Sequence, residues 1–342
     1  MSNSLKSTGA KSGTMMKSAA AGLVLVGTAF AATGQASADE VIVGLVTKTE
    51  VNPFFVKMRQ AAEAEAKAKG VKLIARAGKF DGDNEGQVTA IEDLISAGAK
   101  GILVTPNNST GMLGIIKKAR DAGVLVIALD TATDPADAVD ATFATDNFEA
   151  GVQQGAYARK ALGDKKPVLA MLDGTPGGTV DTFRHNGYLK GFGLAEGDPA
   201  IAGSAITNGA QDKGQVGMEN LLSKNGDINA VYTINEPAAA GAYEALRSVG
   251  RDKDVLIVSV DGGCPGVRNV KDGVIGATSM QFPLLMAAKG VEAVKAYAAG
   301  GGKPKASPGL DFFNTGVELV TDKPAADLPS NDSAAALKKC WG

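Results

Sequence analysis

Seven polar residues lie shortly after apolar runs of the sequence or near the start of a predicted helix. They are Asn52, Asp130, Asn147, Arg184, Asn235, Asp261 and Gln281. In parallel α/β sheets the carboxyl ends of the strands form the edge at which ligands bind. Amides, carboxylates and a guanidinium carry paired donors or acceptors, which can grip two neighbouring hydroxyl groups at once. Together with the flat rings of Phe54 and Phe55, they predict a pocket for a small polyhydroxylated solute.

Each of these residues also has an ordinary structural role open to it. Asn52 could serve only as a helix cap, Asp130 and Asp261 could cap turns, and Arg184 could form a surface ion pair. Two carboxylates would suffice for a glycosidase, but nothing in the sequence indicates that either is held protonated. The set therefore argues jointly for binding, and we predict no catalytic residue.

Other chemistry has weaker support in the sequence. His185 has no nucleophile motif near it, and the glycine-rich stretch 174–179 lacks the features of a phosphate loop. With one histidine and no closely spaced cysteine pair, a zinc site is not expected. We accordingly predict neither a metal nor a cofactor.

Strand-like and helix-like segments alternate along the chain. An apolar run at 41–46 is typical of a strand buried on both faces, and Asn52-Pro53 and Gly70 mark the start and end of the helix that follows. The helix–loop–strand pattern of 91–107 recurs at 218–235. Such repeats predict an α/β fold of two doubly wound parallel-sheet lobes with a cleft between them. Candidate connections between the lobes are 141–147, 276–282 and 311–315.

The N-terminus has the pattern of an export signal. Lysines precede the apolar stretch 19–32, and Ala36-Ser37-Ala38 has the small residues of a cleavage site. The stretch is shorter than the ~20 residues that span a bilayer, so we expect cleavage after Ala38 and a soluble exported protein. Cleavage would remove three lysines and no acid, making the net charge more negative than −2. That charge argues against nucleic acid or an anionic membrane as partner.

The chain has two cysteines, Cys264 and Cys340. An oxidising compartment favours a disulfide between them, which would close a loop of roughly 75 residues and contribute ~4 kcal/mol in the chain-entropy model. Two buried free thiols are the alternative.

Several segments together resemble the periplasmic sugar-binding proteins of the ribose-binding type. They are TEVNPFF (49–55), ALDT (128–131), ATDN (144–147), TINEPAAAGAYEAL (233–246) and VSVDGG (258–263). The resemblance covers essentially all of 41–320. NEPAAAGAYEAL, VDGGCPG, IGATSMQFP and the terminal KCWG resemble the fructose-binding members of ABC importers in particular.

The resemblance implies a periplasmic binding protein type I fold, with two lobes joined by a three-segment hinge. The implied lobes are 39–145 with 280–312, and 146–279 with 313–342. The implied ligand contacts are Asn52, Phe54, Phe55, Asp130, Asn147, Arg184, Asn235, Asp261 and Gln281. Lys48, Asn208 and Glu236 are polar neighbours that could add contacts. The implied partners are a monosaccharide and an ABC permease with its ATPase, and we expect a monomer.

Two departures from the family bear on specificity. Ribose-binding members carry Arg and Phe where this chain has Thr131 and Val260, and another Phe near the position of Gly209. Fewer cations and rings leave a slot for a bulkier sugar, so we expect a hexose, fructose. The alternatives are a receptor that presents another hexose or pentose to a chemoreceptor or sensor kinase, and a sugar-modifying enzyme. A sugar-responsive repressor is disfavoured by the missing helix-turn-helix.

Overall fold

The structure, a computed structural model, describes residues 40–342. The predicted export segment and its cleavage site after Ala38 lie outside these residues. In chain order the strands are β1 Ile42–Thr47, β2 Lys72–Ala77, β3 Gly101–Val104, β4 Leu125–Leu129, β5 Ala141–Ala144, β6 Leu169–Asp173, β7 Ile201–Ile206, β8 Ala230–Thr233, β9 Leu256–Asp261, β10 Ala277–Met280, β11 Phe313–Asn314 and β12 Glu318–Val320. The helices are α1 Pro53–Lys69, α2 Asn84–Ser96, α3 Leu113–Asp121, α4 Asn147–Leu162, α5 Thr179–Phe192, α6 Gln211–Lys224, α7 Glu236–Ser248, α8 Cys264–Lys271, α9 Pro283–Ala298 and α10 Ser333–Ala336.

The strands form two six-stranded sheets, one in each lobe. The first has the order β11-β5-β4-β3-β1-β2 and the second the order β12-β10-β9-β8-β6-β7. Pairing is parallel throughout the first sheet, and in the second sheet β12 alone runs antiparallel, against β10. The predicted two-lobed, largely parallel α/β fold is therefore confirmed.

Helices cover both faces of each sheet, which explains why the strands read as continuous apolar runs. Every residue of β3 and β4 is buried. Helices α1 and α9 pack on one face of the first sheet, and α2 and α3 on the other. In the second lobe α4 and α5 cover one face, and α6 and α7 the other.

The helix predicted from residue 52 to residue 70 forms for the expected reasons. The Asn52 Oδ1 atom accepts a 3.0 Å hydrogen bond from the backbone N–H of Phe54, and Pro53 occupies the first turn. Gly70 ends the helix in the left-handed conformation, with a φ of 66°.

The chain passes between the two sheets three times, after β5, after β10 and after β11. The predicted lobe boundaries need adjustment at two of these points. Met280 pairs with Asp261 in the second sheet, and Phe313 pairs with Phe143 in the first. These short strands carry no local signal for the sheet they join, because their membership depends on pairing with distant strands. Among residues 40–342, no helix is both long enough and apolar enough to cross a membrane.

Candidate ligand-binding site

Asp130 follows β4 directly and lies in the cleft wall of the first lobe. Its φ of 63° is a left-handed value that Asp tolerates better than most residues. The Oδ2 atom accepts a 3.1 Å hydrogen bond from Thr131 Oγ1, whereas the buried Oδ1 atom accepts none from residues 40–342. Burial raises the pKa of this carboxyl, and the nearby cations Arg184 and Lys48 oppose that rise. Asp130 therefore presents a buried acceptor with spare capacity.

Arg184 reaches this carboxyl from α5 in the second lobe. It is buried; its Nε donates to Asn147 Oδ1 at 2.8 Å and its Nη1 to the Ile234 carbonyl oxygen at 2.9 Å. Its Nη2 lies 3.8 Å from Asp130 Oδ1. The amide of Asn147, in the first turn of α4, also donates to the Asp130 carbonyl oxygen at 3.2 Å. Three predicted ligand residues thus form one polar cluster across the two lobes.

Close packing of α4 against α5 sets the position of this arginine. A Cβ added to Gly151 would collide with the Arg184 carbonyl oxygen, and one added to Gly155 would collide with the Tyr188 carbonyl oxygen. Glycine at these positions lets the two helix backbones approach closely enough for Arg184 to reach Asn147.

Asp261 ends β9 on the other side of the cleft and is paired with the hinge. Its Oδ1 accepts a 2.8 Å hydrogen bond from Gln281 Nε2, while Gln281 Oε1 accepts one from Thr145 Oγ1 at 3.1 Å. Burial raises the pKa of Asp261 to about 6, against the opposing effects of Arg184 and of the Gln281 hydrogen bond. Its φ of 145° is unusual for a residue with a side chain. Gln281 thus links Asp261 to the first and second crossing segments.

Asn235 and Asn52 both act as helix caps in the structure. Asn235 Oδ1 accepts from the backbone N–H of Ala238 at 3.1 Å, and its Nδ2 donates to the Gly209 carbonyl oxygen at 3.1 Å. The capping role considered for Asn52 is real, and it uses the Oδ1 atom of that side chain.

Phe54 and Phe55 lie in the core cluster under α1 and α9, and both are buried. Their ring centroids are 5.3 Å apart in an edge-to-face arrangement. Phe54 also meets Trp341, with 5.6 Å between ring centroids. Packing therefore fixes the orientation of both rings.

The carboxylate of Glu236, suggested as an additional contact, is occupied by hydrogen bonds within the protein. Its carboxylate accepts hydrogen bonds from the backbone N–H groups of Gly262 and Gly263, at 2.8 and 3.1 Å, and from Thr278 Oγ1 at 2.8 Å. Burial raises its pKa well above the usual range, and the neighbouring Asp261 adds to that effect. These contacts hold the start of α8 in place, so Glu236 has a structural role that sequence reasoning missed.

Lys48 and Asn208, suggested as additional contacts, both lie against Asp81. Lys48 Nζ lies 3.8 Å from Asp81 Oδ1, and Asn208 Nδ2 donates to the Asp81 carbonyl oxygen at 3.3 Å. Thr175 Oγ1 of the second lobe donates to Asp81 Oδ1 at 2.7 Å. Asp81 therefore joins the lobes at the cleft edge. No local signal marked it, because Lys48, Asn208 and Thr175 lie in irregular segments far from Asp81 in the chain.

A second set of contacts joins the lobes through the glycine-rich stretch 174–179. The Ser109 backbone N–H donates to the Gly177 carbonyl oxygen at 2.9 Å, and Ser109 Oγ accepts from the Thr179 N–H at 3.0 Å. This stretch therefore contributes contacts between the lobes at the cleft.

A cavity of about 630 Å³ opens between the lobes beside the polar cluster. Asp130 and Asn147 line it, together with Phe148, Phe183 and Phe312, whereas the other predicted ligand residues do not. Its size is within the range of small-molecule pockets.

The predicted disulfide between Cys264 and Cys340 is present, with Cα atoms 5.1 Å apart. It fastens the C-terminal tail to the start of α8 in the second lobe.

Residues 43–303 match the periplasmic binding protein domain family. The chain belongs to this family. The ribose import binding protein of Bacillus subtilis (strain 168) is 32% identical over 74% of this chain and 80% of its own length. The D-allose-binding periplasmic protein of Escherichia coli (strain K12) is 30% identical over 79% of this chain and 86% of its own length.

A solved structure with a similar fold belongs to an ABC transporter periplasmic solute binding protein from Actinobacillus succinogenes 130z, with D-allose bound. It superimposes with a TM-score of 0.73 and is 28% identical, covering 82% of this chain and 98% of its own. These relatives are named for binding and import, not for catalysis. The prediction of a binding protein of the ABC importer type, and not an enzyme, is therefore confirmed at the level of the family.

Proposed function

We propose that this protein is the periplasmic receptor of an ABC importer and binds one monosaccharide, fructose, between its lobes. The cluster of Arg184, Asp130 and Asn147 is the observation that carries the proposal. Asp130 Oδ1 is buried at this cluster and accepts no hydrogen bond within residues 40–342. Buried polar atoms are normally paired, and a sugar hydroxyl is a donor of the right kind for a carboxylate beside an arginine.

The ligand contacts we propose are the nine residues implied by the family resemblance, with Lys48 and Asn208 at the cleft edge. Asn52, Phe54, Phe55 and Asp130 come from the first lobe, and Arg184, Asn235 and Asp261 from the second. Asn147 and Gln281 lie at crossing segments. Because the site is divided in this way, we propose that ligand binding closes the hinge and that a permease with its ATPase recognises the closed form.

Named relatives and the local sequence bear on the choice of sugar. The relatives compared above are named for ribose and allose. The position after Asp130, however, is Thr131, a fully buried residue whose hydroxyl is bonded to Asp130 and which adds no cation. Val260, before Asp261, is also fully buried. A site with fewer cations and rings favours a hexose over ribose, which supports fructose.

The test is a thermal-shift and calorimetric panel on ligand-stripped protein, with fructose, ribose, allose and other pentoses, hexoses and polyols. A specific ligand raises the unfolding midpoint in a concentration-dependent way, and we expect fructose to give the largest shift. If ribose or allose stabilises the protein and fructose does not, the fructose assignment fails and the receptor assignment stands. If no sugar binds, the receptor assignment fails as well.

A further inference from the structure

Trp341, the single tryptophan of the chain, lies buried at the junction of the two lobes. Its indole ring packs edge-on against Phe54 of the first lobe, at an interplanar angle of 75°. Its Nε1 donates a 2.9 Å hydrogen bond to the carbonyl oxygen of Gln281, at the second crossing segment. One side chain of the C-terminal tail therefore contacts two of the residues that we place at the ligand.

The tail that carries Trp341 is held to the second lobe at adjacent positions. Cys340 is bonded to Cys264, and the Cys264 backbone N–H donates to the Trp341 carbonyl oxygen at 2.7 Å. Gly263 forms an isolated parallel bridge with Trp341. With its backbone fixed in this way, the indole has little freedom to leave Phe54 and Gln281.

We propose that Trp341 is a positioning residue for the ligand cleft, and that the Cys264–Cys340 disulfide fixes it there. The inference rests on the proposed function, because it assumes that Phe54 and Gln281 contact the sugar. Phe54 owes its ring orientation to Phe55 on one side and to Trp341 on another. Without the indole the Phe54 ring can rotate away from the position that presents its face to the ligand.

The contact to Gln281 acts on the opposite wall of the cleft. The side chain of Gln281 bonds Asp261 and Thr145, so its backbone position affects a carboxylate of the second lobe and the first crossing segment. A hydrogen bond to the carbonyl oxygen of Gln281 fixes that backbone. Trp341 thus couples the C-terminal tail to both half-sites without itself being among the proposed ligand contacts.

The first experiment measures dissociation constants by calorimetry, using the sugar that the panel identifies and temperatures far below the unfolding midpoint. We expect Trp341→Ala to weaken binding about tenfold, from loss of the aromatic pair and the hydrogen bond. Trp341→Phe keeps a ring against Phe54 and should weaken binding no more than about threefold. Lys338→Ala, an exposed change in the same tail, serves as the matched control and should bind as wild type.

A double variant separates positioning from general stability. The proposal makes the contact with Phe54 the main route by which Trp341 acts, so adding Trp341→Ala to Phe54→Leu should weaken binding by less than about threefold, because coupled residues are non-additive. A full tenfold effect in that background would overturn the proposal. So would a folded Trp341→Ala protein that binds within about twofold of wild type. Replacing both cysteines with alanine should also weaken binding, because the disulfide no longer fixes the backbone beside Trp341.

Fluorescence of the unaltered protein keeps the test decisive even if Trp341→Ala does not fold. All tryptophan emission comes from this one residue. Saturation with the sugar should therefore shift or quench the emission, with the dissociation constant found by calorimetry. An unchanged emission despite calorimetric binding would contradict the inference while leaving the proposed function intact. Failure of every sugar to bind in calorimetry would overturn both.

Discussion

Arg184→Met is the most informative single change at the proposed site. The substitution removes the hydrogen bonds to Asn147 and to the Ile234 carbonyl oxygen, and takes away the cation 3.8 Å from Asp130. Burial raises the pKa of both Asp130 and Asp261, and the charge of Arg184 opposes that rise in each. Loss of this cation leaves the buried carboxylates without their opposite charge, and removing one partner of a buried charge pair costs about 2–5 kcal/mol of binding, so we expect affinity to fall roughly 30-fold to several thousand-fold.

Calorimetry with the sugar identified in the panel gives the dissociation constants, and thermal unfolding of the ligand-free proteins checks that each variant is folded. Arg184→Lys keeps a positive charge but loses the planar guanidinium group, so its affinity for the sugar should lie between those of wild type and Arg184→Met. Arg268, an exposed arginine on α8, is the matched control, and its replacement by methionine should leave affinity unchanged. A loss below about 0.5 kcal/mol in folded Arg184→Met protein would refute the reasoning about this cluster.

Three further predictions address pH and packing. The pKa of Asp261 is about 6, and sugar hydroxyls prefer the ionised carboxylate, so the affinity for the sugar should fall as the pH drops below about 6. Calorimetry across that pH range should show this fall in the wild-type protein and not in Asp261→Asn. The hydrogen bond to Asp173 raises the pKa of His185 from 6.5 to about 9. The protonated His185 therefore stabilises the folded protein fully below pH 6.5, and this stabilisation is lost as the pH rises through 9. His185→Gln should remove up to about 3 kcal/mol of the pH-dependent free energy of unfolding. The loss should be smaller to the extent that solvent screens Glu196, the exposed second partner of His185. Gly155→Ala should lower the free energy of unfolding by at least about 2 kcal/mol, because the added methyl group forces α4 away from α5. The control is Gly114→Ala in α3, where the space around the glycine is open, and it should be neutral or stabilising by up to about 1 kcal/mol. Denaturant unfolding measures both variants.

Local sequence patterns determined most of the architecture. Continuous apolar runs predicted the buried strands, and a cap followed by proline placed the start of α1 at Asn52. Asp130 and Asp261 were expected at strand ends, and the structure places them there because the alternation of strands and helices brings the carboxyl end of each strand to the cleft. These features depend on interactions between residues that are near one another in the chain.

The tertiary structure decided which polar groups meet. Asp81 and Thr175 are 94 residues apart, and Trp341 and Gln281 are 60 residues apart. Their contacts require the two lobes and the tail to be placed relative to one another, and hydrophobic periodicity carries no information about that placement. The same reason explains why the sequence did not reveal that the Glu236 carboxylate holds the start of α8.

For this protein the sequence by itself determined the α/β alternation, the helix boundaries and the residue types that end the strands. Only the tertiary structure decided that Arg184 joins Asp130 and Asn147, and that the C-terminal tail returns to Phe54. The physical reason is the range of the interactions. Backbone hydrogen bonds, caps and apolar periodicity act over a few residues, whereas a cleft between two lobes is formed by contacts whose partners are far apart in the chain.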